Sequence, residues 1–238
     1  MSWDSLLDRA RRGEGPLKHA RTWWRGALRF HLPLPRFVAG FLYAERGFRH
    51  RVFPLILKAL YREPLMRYRC HKVGDRLNLE GEIPLIIGGG LIELGHDVVI
   101  GRRNTWVVGL KESTGAELIV GDGAAINYAI TISVMKSVRI GRGTLLASHV
   151  QIYDNPSHPL DPERRRRGEG VRLEEAHPVV IGDNVWVATG ALILAGVEIG
   201  DNSVVAAGSV VTKSVPANTL VAGSPARVVR TLGPDATP

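Results

Sequence analysis

The chain of 238 residues is 45% hydrophobic and 23% charged, with a formal net charge of +8 at neutral pH. This length allows one large domain, or one domain with an extension. The single cysteine, Cys70, excludes an intrachain disulfide and with it a disulfide-stapled secreted domain. The apolar runs stop well short of the roughly 18 residues that a membrane-spanning helix needs, and an acid near the start argues against a signal peptide. We therefore expect a cytoplasmic protein without a spanning helix.

Residues 1–72 carry the positive charge. They hold 16 Lys and Arg against 5 Asp and Glu, whereas residues 73–238 hold 15 against 18. Aromatic side chains lie among these arginines at spacings that favour helices, which prolines would divide into short segments. Two interpretations of this mainly helical extension stay open: it packs on the main domain, or it lies as an amphipathic segment on the anionic inner face of a membrane. Nucleic-acid binding is not expected, because no recognition motif accompanies the charge.

A six-residue repeat begins after about residue 73. Aliphatic residues recur at steps of six, and small side chains mostly follow them. The aliphatic positions are Val120, Ile126 and Ile132, then Ile140, Leu146 and Ile152, and finally Ile181, Val187, Ile193, Ile199, Val205 and Val211. The first two runs are out of phase by two residues, which predicts a bulge or short loop near 133–139.

A period of six matches neither a strand, with its period of 2, nor a helix, with 3.6. It fits a solenoid in which each hexad forms a strand and a turn, three hexads form a triangular coil, and stacked coils place the aliphatic side chains in an interior ladder. The sequence therefore predicts an all-β solenoid, a parallel β-helix over residues 73–232, with a helical N-terminal extension over 1–72 and a tail over 233–238.

The ladder is interrupted between Ile152 and Ile181. This interruption predicts a protruding loop over residues 154–178, and an insertion of this length in a tight solenoid favours a functional role. The loop contains His158 in the sequence His-Pro-Leu-Asp.

The chain resembles the hexapeptide-repeat acetyltransferases of the galactoside and maltose type, and their relatives that acetylate cell-surface polysaccharides. The segments that carry the resemblance are VQIYDNPSHPLDPERRRRG and PVVIGDNVWVATGALILAGVEIGDNSVVAAGSVVTKSVPANTLVAGSPARVVR. The similarity covers roughly residues 95–232. It implies a left-handed β-helix, although parallel crossovers are usually right-handed, and a homotrimer with acetyl-CoA bound along grooves at the subunit interfaces.

The resemblance also implies that His158 is the base that deprotonates the acceptor hydroxyl. Histidine suits this role, because an imidazole has an ordinary pKa of about 6.5 and accepts a proton near neutrality. Asp154, Asp161 or a backbone carbonyl would orient the ring, and the sequence does not choose among them. Asn127 matches an active-site asparagine that contacts polar groups of the acceptor or the cofactor.

Seven further positions match the cofactor site of the family. A tryptophan would wall the site or pack between subunits, small residues would bond the pantetheine arm through their backbone, and basic residues would neutralise the nucleotide phosphates. These positions are Trp186, Thr189, Ala207, Thr212, Lys213, Arg227 and Arg230. No metal is expected.

Departures from the family pattern at His149 and Gln151 leave the acceptor specificity open. The basic residues 1–72, which replace the shorter helical cap of the galactoside and maltose enzymes, favour the polysaccharide-modifying relatives. We therefore expect O-acetylation of a sugar hydroxyl in cell-surface polysaccharide or glycoconjugate synthesis. Three alternatives remain: N-acetylation of an amino sugar nucleotide, a β-helix scaffold without activity, and a metal-dependent carbonic anhydrase. The last would need His149, His158 and His177 as ligands, and their spacing is unconvincing for a metal site.

Overall fold

The computed structural model describes residues 23–24, 34–110 and 115–233. Most of the predicted helical region before residue 34, and the predicted tail beyond residue 233, lie outside the described residues. The chain divides into two compact units, Met1–Val52 and Phe53–Pro238.

Helix α1 spans Arg36–Leu57, and none of its residues is buried. A π-helical turn, Lys58–Arg62, leads into helix α2, Glu63–Arg69. The prediction that prolines divide this region into short helices is wrong at Pro54, which lies inside α1. Its missing N–H removes one helical hydrogen bond, and the helix continues into the wider π-helical turn that follows. No helix in the described part of the chain is both long enough and apolar enough to cross a bilayer.

Within the described residues, twenty strands, numbered along the chain, form three sheets. Sheet A contains β1 (Lys72–Val73), β4 (Leu91–Leu94), β7 (Glu117–Val120), β10 (Ser137–Ile140), β13 (Val179–Ile181) and β16 (Glu198–Ile199). Sheet B contains β2 (Asn78–Leu79), β5 (Val99–Ile100), β8 (Ala125–Ile126), β11 (Leu145–Leu146), β14 (Trp186–Val187), β17 (Val204–Val205), β19 (Thr219–Gly223) and β20 (Ala226–Thr231). Sheet C contains β3 (Leu85–Ile87), β6 (Thr105–Val108), β9 (Thr131–Val134), β12 (Gln151–Tyr153), β15 (Leu192–Ile193) and β18 (Val210–Val211).

The chain passes through sheets A, B and C in turn, so that β1–β18 make six coils. Neighbouring strands are parallel up to β19, which pairs with β20 as an antiparallel hairpin. The aliphatic positions of the repeat stack in register, as Ile126, Leu146, Val187 and Val205 do in sheet B. All twelve of the predicted ladder residues are buried. The predicted parallel β-helix and its interior ladder are confirmed.

A two-residue turn interrupts the repeat where the phase shift predicted it. Met135 and Lys136 lie between β9 and β10, so Ile132 and Ile140 are eight residues apart instead of six, and both remain buried.

We name the three rows of turns after the sheets that they join: the AB edge, the BC edge and the CA edge. On the AB edge, Asn184, Asn202 and Asn218 have φ angles of 55°, 58° and 55°, a left-handed conformation that asparagine tolerates better than most residues. Their side chains form a column, with Asn184 Nδ2 donating to Asn202 Oδ1 at 3.3 Å and Asn202 Nδ2 to Asn218 Oδ1 at 3.1 Å. Side-chain amides thus join successive coils along this edge.

Helix α2 closes the first coil of the β-helix. Met66 is fully buried in the core cluster. Arg67 Nη1 donates to the carbonyl of Val73 at 3.1 Å, and Arg69 Nη2 donates to the carbonyl of Gly88 at 2.7 Å. The end of the solenoid is therefore covered by an apolar side chain and by two arginines that satisfy backbone acceptors.

Candidate functional site

The BC edge is a continuous column of tight turns. The N–H groups of Ala129, His149, Gly190 and Gly208 donate to the carbonyls of Arg102, Tyr128, Ser148 and Thr189, at distances of 2.9, 2.9, 3.0 and 2.9 Å. All four donors have positive φ. His149 thus occupies a left-handed position that glycine takes in the later coils.

A cleft of about 580 Å³ opens beside the BC edge. Its lining residues are Glu80, Gly101, Arg102, Asn127, Tyr128 and Ser148. Asn127, predicted from the sequence, is half-buried there, and Arg102 Nε donates to the carbonyl of Glu80 at 3.1 Å. The cleft combines an amide, a carboxylate, a hydroxyl and a phenol ring, which are groups that bind the hydroxyls and the flat face of a sugar.

Tyr128 is held by two neighbours on the same edge. Arg103 Nη1 donates to its hydroxyl at 2.9 Å, with the guanidinium carbon 5.8 Å from the ring centroid. The His149 ring meets it edge-on, with centroids 5.5 Å apart. These contacts fix the wall of the cleft that the phenol forms.

Further along the BC edge the column becomes an open strip of small residues. Thr189 and Ala207 are exposed, and a Cβ placed on Gly190 or Gly208 would meet no atom within 4 Å. Because side chains do not shield it, the backbone of this strip is accessible to a ligand.

The other predicted cofactor residues of sheet B lie on its outer face and its last hairpin. Trp186 is 46% exposed, between Leu145 and Val204 in register. Arg227 and Arg230 are exposed on β20, opposite Ala222 and Leu220 of β19.

The CA edge carries the predicted loop over residues 154–178, which leaves after β12 and returns at β13. His158 is exposed on this loop, and its N–H donates to the carbonyl of Pro156 at 2.7 Å. The residue before it, Ser157, has a φ of 63°. Thr212 and Lys213 follow β18 on the same edge, and both are exposed.

Asp154 anchors the start of the loop. Its side chain is fully buried, and its carboxylate accepts hydrogen bonds from the N–H groups of Met135, Lys136 and Ser137 at 2.6 to 3.0 Å. A carboxylate that accepts several backbone N–H groups forms charge-assisted bonds. Asp154 therefore joins the two-residue turn before β10 to the loop that bears His158.

Asn155 links the buried Asp154 carboxylate to the turn that precedes His158. It is 5% exposed, its Nδ2 donates to Asp154 Oδ1 at 2.9 Å and to Ser133 Oγ at 3.2 Å, and its Oδ1 accepts from the N–H of Ser157 at 2.9 Å. The amide thus fixes the left-handed turn that presents His158.

Arg165 and Asp161 hold the loop on the far side of His158. Arg165 Nη1 donates to the carbonyls of Pro159 and Leu160 at 2.7 and 2.5 Å. Asp161 caps helix α3, Pro162–Arg166, by accepting from the N–H of Glu163 at 2.8 Å.

The two carboxylates predicted as orienting groups thus have other partners in this chain. Among the described residues, neither Asp154 nor Asp161 forms a hydrogen bond with the His158 ring.

The base of the loop is closed by a buried arginine. Arg164 is 8% exposed; its Nη1 donates to Glu175 at 2.9 Å, its Nε to Glu169 at 3.1 Å, and its Nη2 to the carbonyl of Gly170 at 3.0 Å. These hydrogen bonds from Arg164 hold the pKa of the Glu175 carboxyl below its ordinary range. The run of four arginines that begins here is therefore partly structural.

The structure divides the predicted site between two edges. Asn127, Thr189 and Ala207 lie on the BC edge, whereas His158 lies on the CA edge. Sheet C separates these edges, because the chain enters it from the BC edge and leaves it by the CA edge. One chain alone therefore does not bring Asn127 and His158 together.

The sequence did not single out Asn155, Arg165, Arg102 or Tyr128. Asn155 and Arg165 act through contacts with backbone atoms, which leave no spacing signal. Tyr128 could have been found, because it directly follows Asn127 on the same turn. The described residues include no group of three or more His, Cys, Asp or Glu that could hold a metal ion.

Comparison with known proteins identifies the family. Residues 178–213 match the model of the bacterial transferase hexapeptide family (six repeats). The chain is 47% identical to Nodulation protein L of Rhizobium meliloti over 144 residues, which cover 60% of this chain and 73% of that protein. It is 36% identical over 136 residues to WbbJ of Escherichia coli K12, named for O-acetyl transfer in lipopolysaccharide biosynthesis, covering 55% of this chain and 69% of that protein.

The chain therefore belongs to the bacterial hexapeptide-repeat transferases. Its parallel coils are those of the left-handed β-helix that the resemblance predicted. The galactoside O-acetyltransferase of Escherichia coli K12 is 38% identical over 129 residues, which cover 54% of this chain and 61% of that enzyme. The chain spans 48% to 61% of the length of several curated relatives that it matches.

Proposed function

We propose that this protein is an acetyltransferase that passes the acetyl group of acetyl-CoA directly to a sugar hydroxyl. The observation that carries the proposal is His158, which a network of buried side chains presents on the long loop over residues 154–178. The names of two relatives support the reaction class, since both refer to O-acetyl transfer.

In the proposed reaction, His158 acts as the general base. An imidazole nitrogen takes the proton of the acceptor hydroxyl while the hydroxyl oxygen attacks the carbonyl carbon of the thioester. The carbon–sulfur bond then breaks, and the protonated imidazole returns the proton to the sulfur, so that free CoA and an acetyl ester result. A positioned base of this kind contributes about 10²–10⁴ to the rate.

The cleft on the BC edge is the proposed acceptor site. Asn127 would bond polar groups of the sugar or of the thioester, and the exposed ring of Tyr128 would pack against the sugar. The fixed position of Tyr128 between Arg103 and His149 supports this role, because a rigid aromatic wall loses little entropy on binding.

The open strip of the BC edge is the proposed path of the pantetheine arm, whose amides would bond backbone groups near Thr189 and Ala207. Trp186 would wall this path. Basic side chains would neutralise the nucleotide phosphates. The proposed phosphate-side residues are Thr212, Lys213, Arg227 and Arg230.

We further propose that the protein works as a homotrimer. Within one chain, Asn127 and His158 lie on different edges of the β-helix, so a complete site needs the BC edge of one subunit beside the CA edge of the next. A closed ring of three subunits repeats this pairing three times.

The proposed acceptor is a glycan of cell-surface polysaccharide or glycoconjugate synthesis. The relative named for lipopolysaccharide biosynthesis supports this class. The basic residues 1–72 favour an acceptor intermediate that is attached to a membrane, met at its inner face.

The test is release of CoA thiol from acetyl-CoA by the purified full chain, with a panel of glycans and sugar nucleotides that carry either hydroxyl or amino acceptor groups. We expect turnover with a hydroxyl acceptor and an ester product. Turnover with amino sugars alone would replace O-acetylation by N-acetylation.

Calorimetric titration with CoA separates an enzyme from a scaffold. We expect saturable binding that weakens when Arg227 is changed to Gln. Absence of CoA binding, together with absence of thiol release with every acceptor, would contradict the proposed function.

A further inference from the structure

Helix α1 presents an apolar stripe that is largely exposed among the described residues. Phe37, Phe41, Ala44, Phe48 and Val52 are spaced by four, three, four and four residues along Arg36–Leu57. At 3.6 residues per turn these side chains share a sector of about 80° on one side of the helix. Phe37, Phe41 and Phe48 are 79%, 71% and 68% exposed.

Positive charge borders this stripe. The helix contains four arginines and one acid, Glu45, which pairs with Arg49 at 3.3 Å. Among the described residues, Arg36, Arg46 and Arg51 have no carboxylate partner. Arg51 and Arg49 lie just outside the two borders of the apolar sector, about 20° and about 60° from its nearer ends.

An aromatic stripe bordered by arginines matches the boundary between lipid headgroups and acyl chains. Aromatic side chains enter the acyl region, while long basic side chains reach back to the phosphates. Because the helix is not long and apolar enough to cross a bilayer, such contact places it along the surface.

The charge on the helix favours an anionic lipid surface over a second copy of the helix as the partner of the stripe. Two copies that paired through the stripe would place arginines of like charge side by side along the seam, which destabilises helix pairs. An anionic lipid surface instead offers the opposite charge to the arginines that border the stripe.

We propose that α1 lies in the headgroup layer of an anionic membrane, with Phe37, Phe41, Ala44, Phe48 and Val52 facing the acyl chains. This inference goes beyond the proposed function and does not depend on it. It assigns α1 as a membrane-docking helix of the basic region, with anionic lipid as its partner.

The test uses the full chain in co-sedimentation with vesicles of phosphatidylcholine alone and of phosphatidylcholine mixed with phosphatidylglycerol. We expect binding to the mixed vesicles that weakens with added salt, and little binding to phosphatidylcholine alone. Changing Phe41 and Phe48 together to Ser should weaken binding about tenfold or more. Tyr43→Ser, at a 74% exposed aromatic on the opposite side of the helix, should leave it unchanged.

A second variant, Arg49→Gln with Arg51→Gln, removes the two arginines that border the stripe, and we expect it to remove the preference for phosphatidylglycerol. Equal binding to both vesicles, or full binding by the Phe41→Ser and Phe48→Ser variant, would overturn the proposal. Light scattering without lipid tests the alternative, in which a second copy of the chain covers the stripe. If the phenylalanine changes lower the oligomer mass and the parent protein does not bind mixed vesicles, the stripe is a contact between copies.

Discussion

The BC edge and the CA edge of this β-helix differ in how their turns are built and held. On the BC edge the turns at Ala129, His149, Gly190 and Gly208 repeat from coil to coil, a backbone bond joins each to the turn before it, and small residues leave an accessible strip in the later coils. On the CA edge the loop over 154–178 leaves the repeat and is held by side chains that bond backbone atoms. The repeat builds the proposed binding surface, whereas an irregular loop with its own polar support holds the proposed base, His158.

The largest expected effect comes from removing the reactive group on the CA edge. His158→Ala should lower kcat by about 10²–10⁴, because a positioned general base contributes that much, and it should leave CoA affinity unchanged. The matched control is His177→Ala, an exposed histidine of the same loop. Steady-state kinetics and calorimetric titration separate the two effects. Equal losses in both variants would show that His158 has no special role.

The second largest effect is expected at Asp154, which anchors the loop. Asp154→Ala leaves three N–H groups of the turn at 135–137 without their acceptor, and an unsatisfied buried donor costs about 1–3 kcal/mol. We expect a lower free energy of unfolding in urea and a loss of activity with it. Asp161→Ala, at an exposed helix cap, should cost about 0.5–2 kcal/mol. A stable Asp154→Ala variant with full activity would mean that the anchor does not hold the loop.

A smaller effect separates positioning from stability. Asn155→Ala removes the acceptor that fixes the N–H of Ser157, so His158 should sample other orientations while the chain stays folded. We expect kcat to fall about tenfold with little change in KM for acetyl-CoA, because loss of orientation at the reacting atoms affects the transition state. If KM for acetyl-CoA rises while kcat is unchanged, Asn155 supports binding rather than the base.

The smallest expected effect concerns the buried arginine at the base of the loop. Its hydrogen bond lowers the folded pKa of Glu175. This contribution to stability is therefore complete above the ordinary pKa of a glutamate and is lost as the pH falls through the lowered value. Glu175→Gln should lower the thermal unfolding midpoint at pH 7, and the difference from the parent should shrink toward pH 4.

Glu174→Gln is the control for that measurement, since Glu174 is exposed and lies 3.9 Å from Arg172. A difference between Glu175→Gln and the parent that is constant from pH 7 to pH 4 would contradict the ion-pair explanation.

The sequence predicted the repeating part of the fold. The ladder from Val120 to Val211 was readable because each coil imposes the same burial on every sixth residue, and the phase shift located the turn at Met135 and Lys136. The break in the repeat located the loop of His158. Regular backbone geometry leaves a period in the sequence, and departures from it are equally visible.

The sequence could not predict the side-chain contacts within the loop or between coils. Arg164 and Arg165 are neighbours in a run of arginines, yet one is buried with two glutamates and the other bonds two carbonyls. Asp154 was one of three candidates for orienting His158, and its carboxylate accepts hydrogen bonds from backbone N–H groups of another turn. Such partners are set by how the chain returns on itself, which a single sequence does not encode in its spacing.

The central claim is that the BC edge of one subunit and the CA edge of another form one site. The most direct test co-expresses two inactive variants, Asn127→Ala and His158→Ala, and measures acetyl transfer by the mixed assembly. We predict recovery of about a quarter of the parent activity, because half of the subunits supply each intact residue at random in a closed ring. Mixed assemblies that stay as inactive as each variant alone would contradict a shared site.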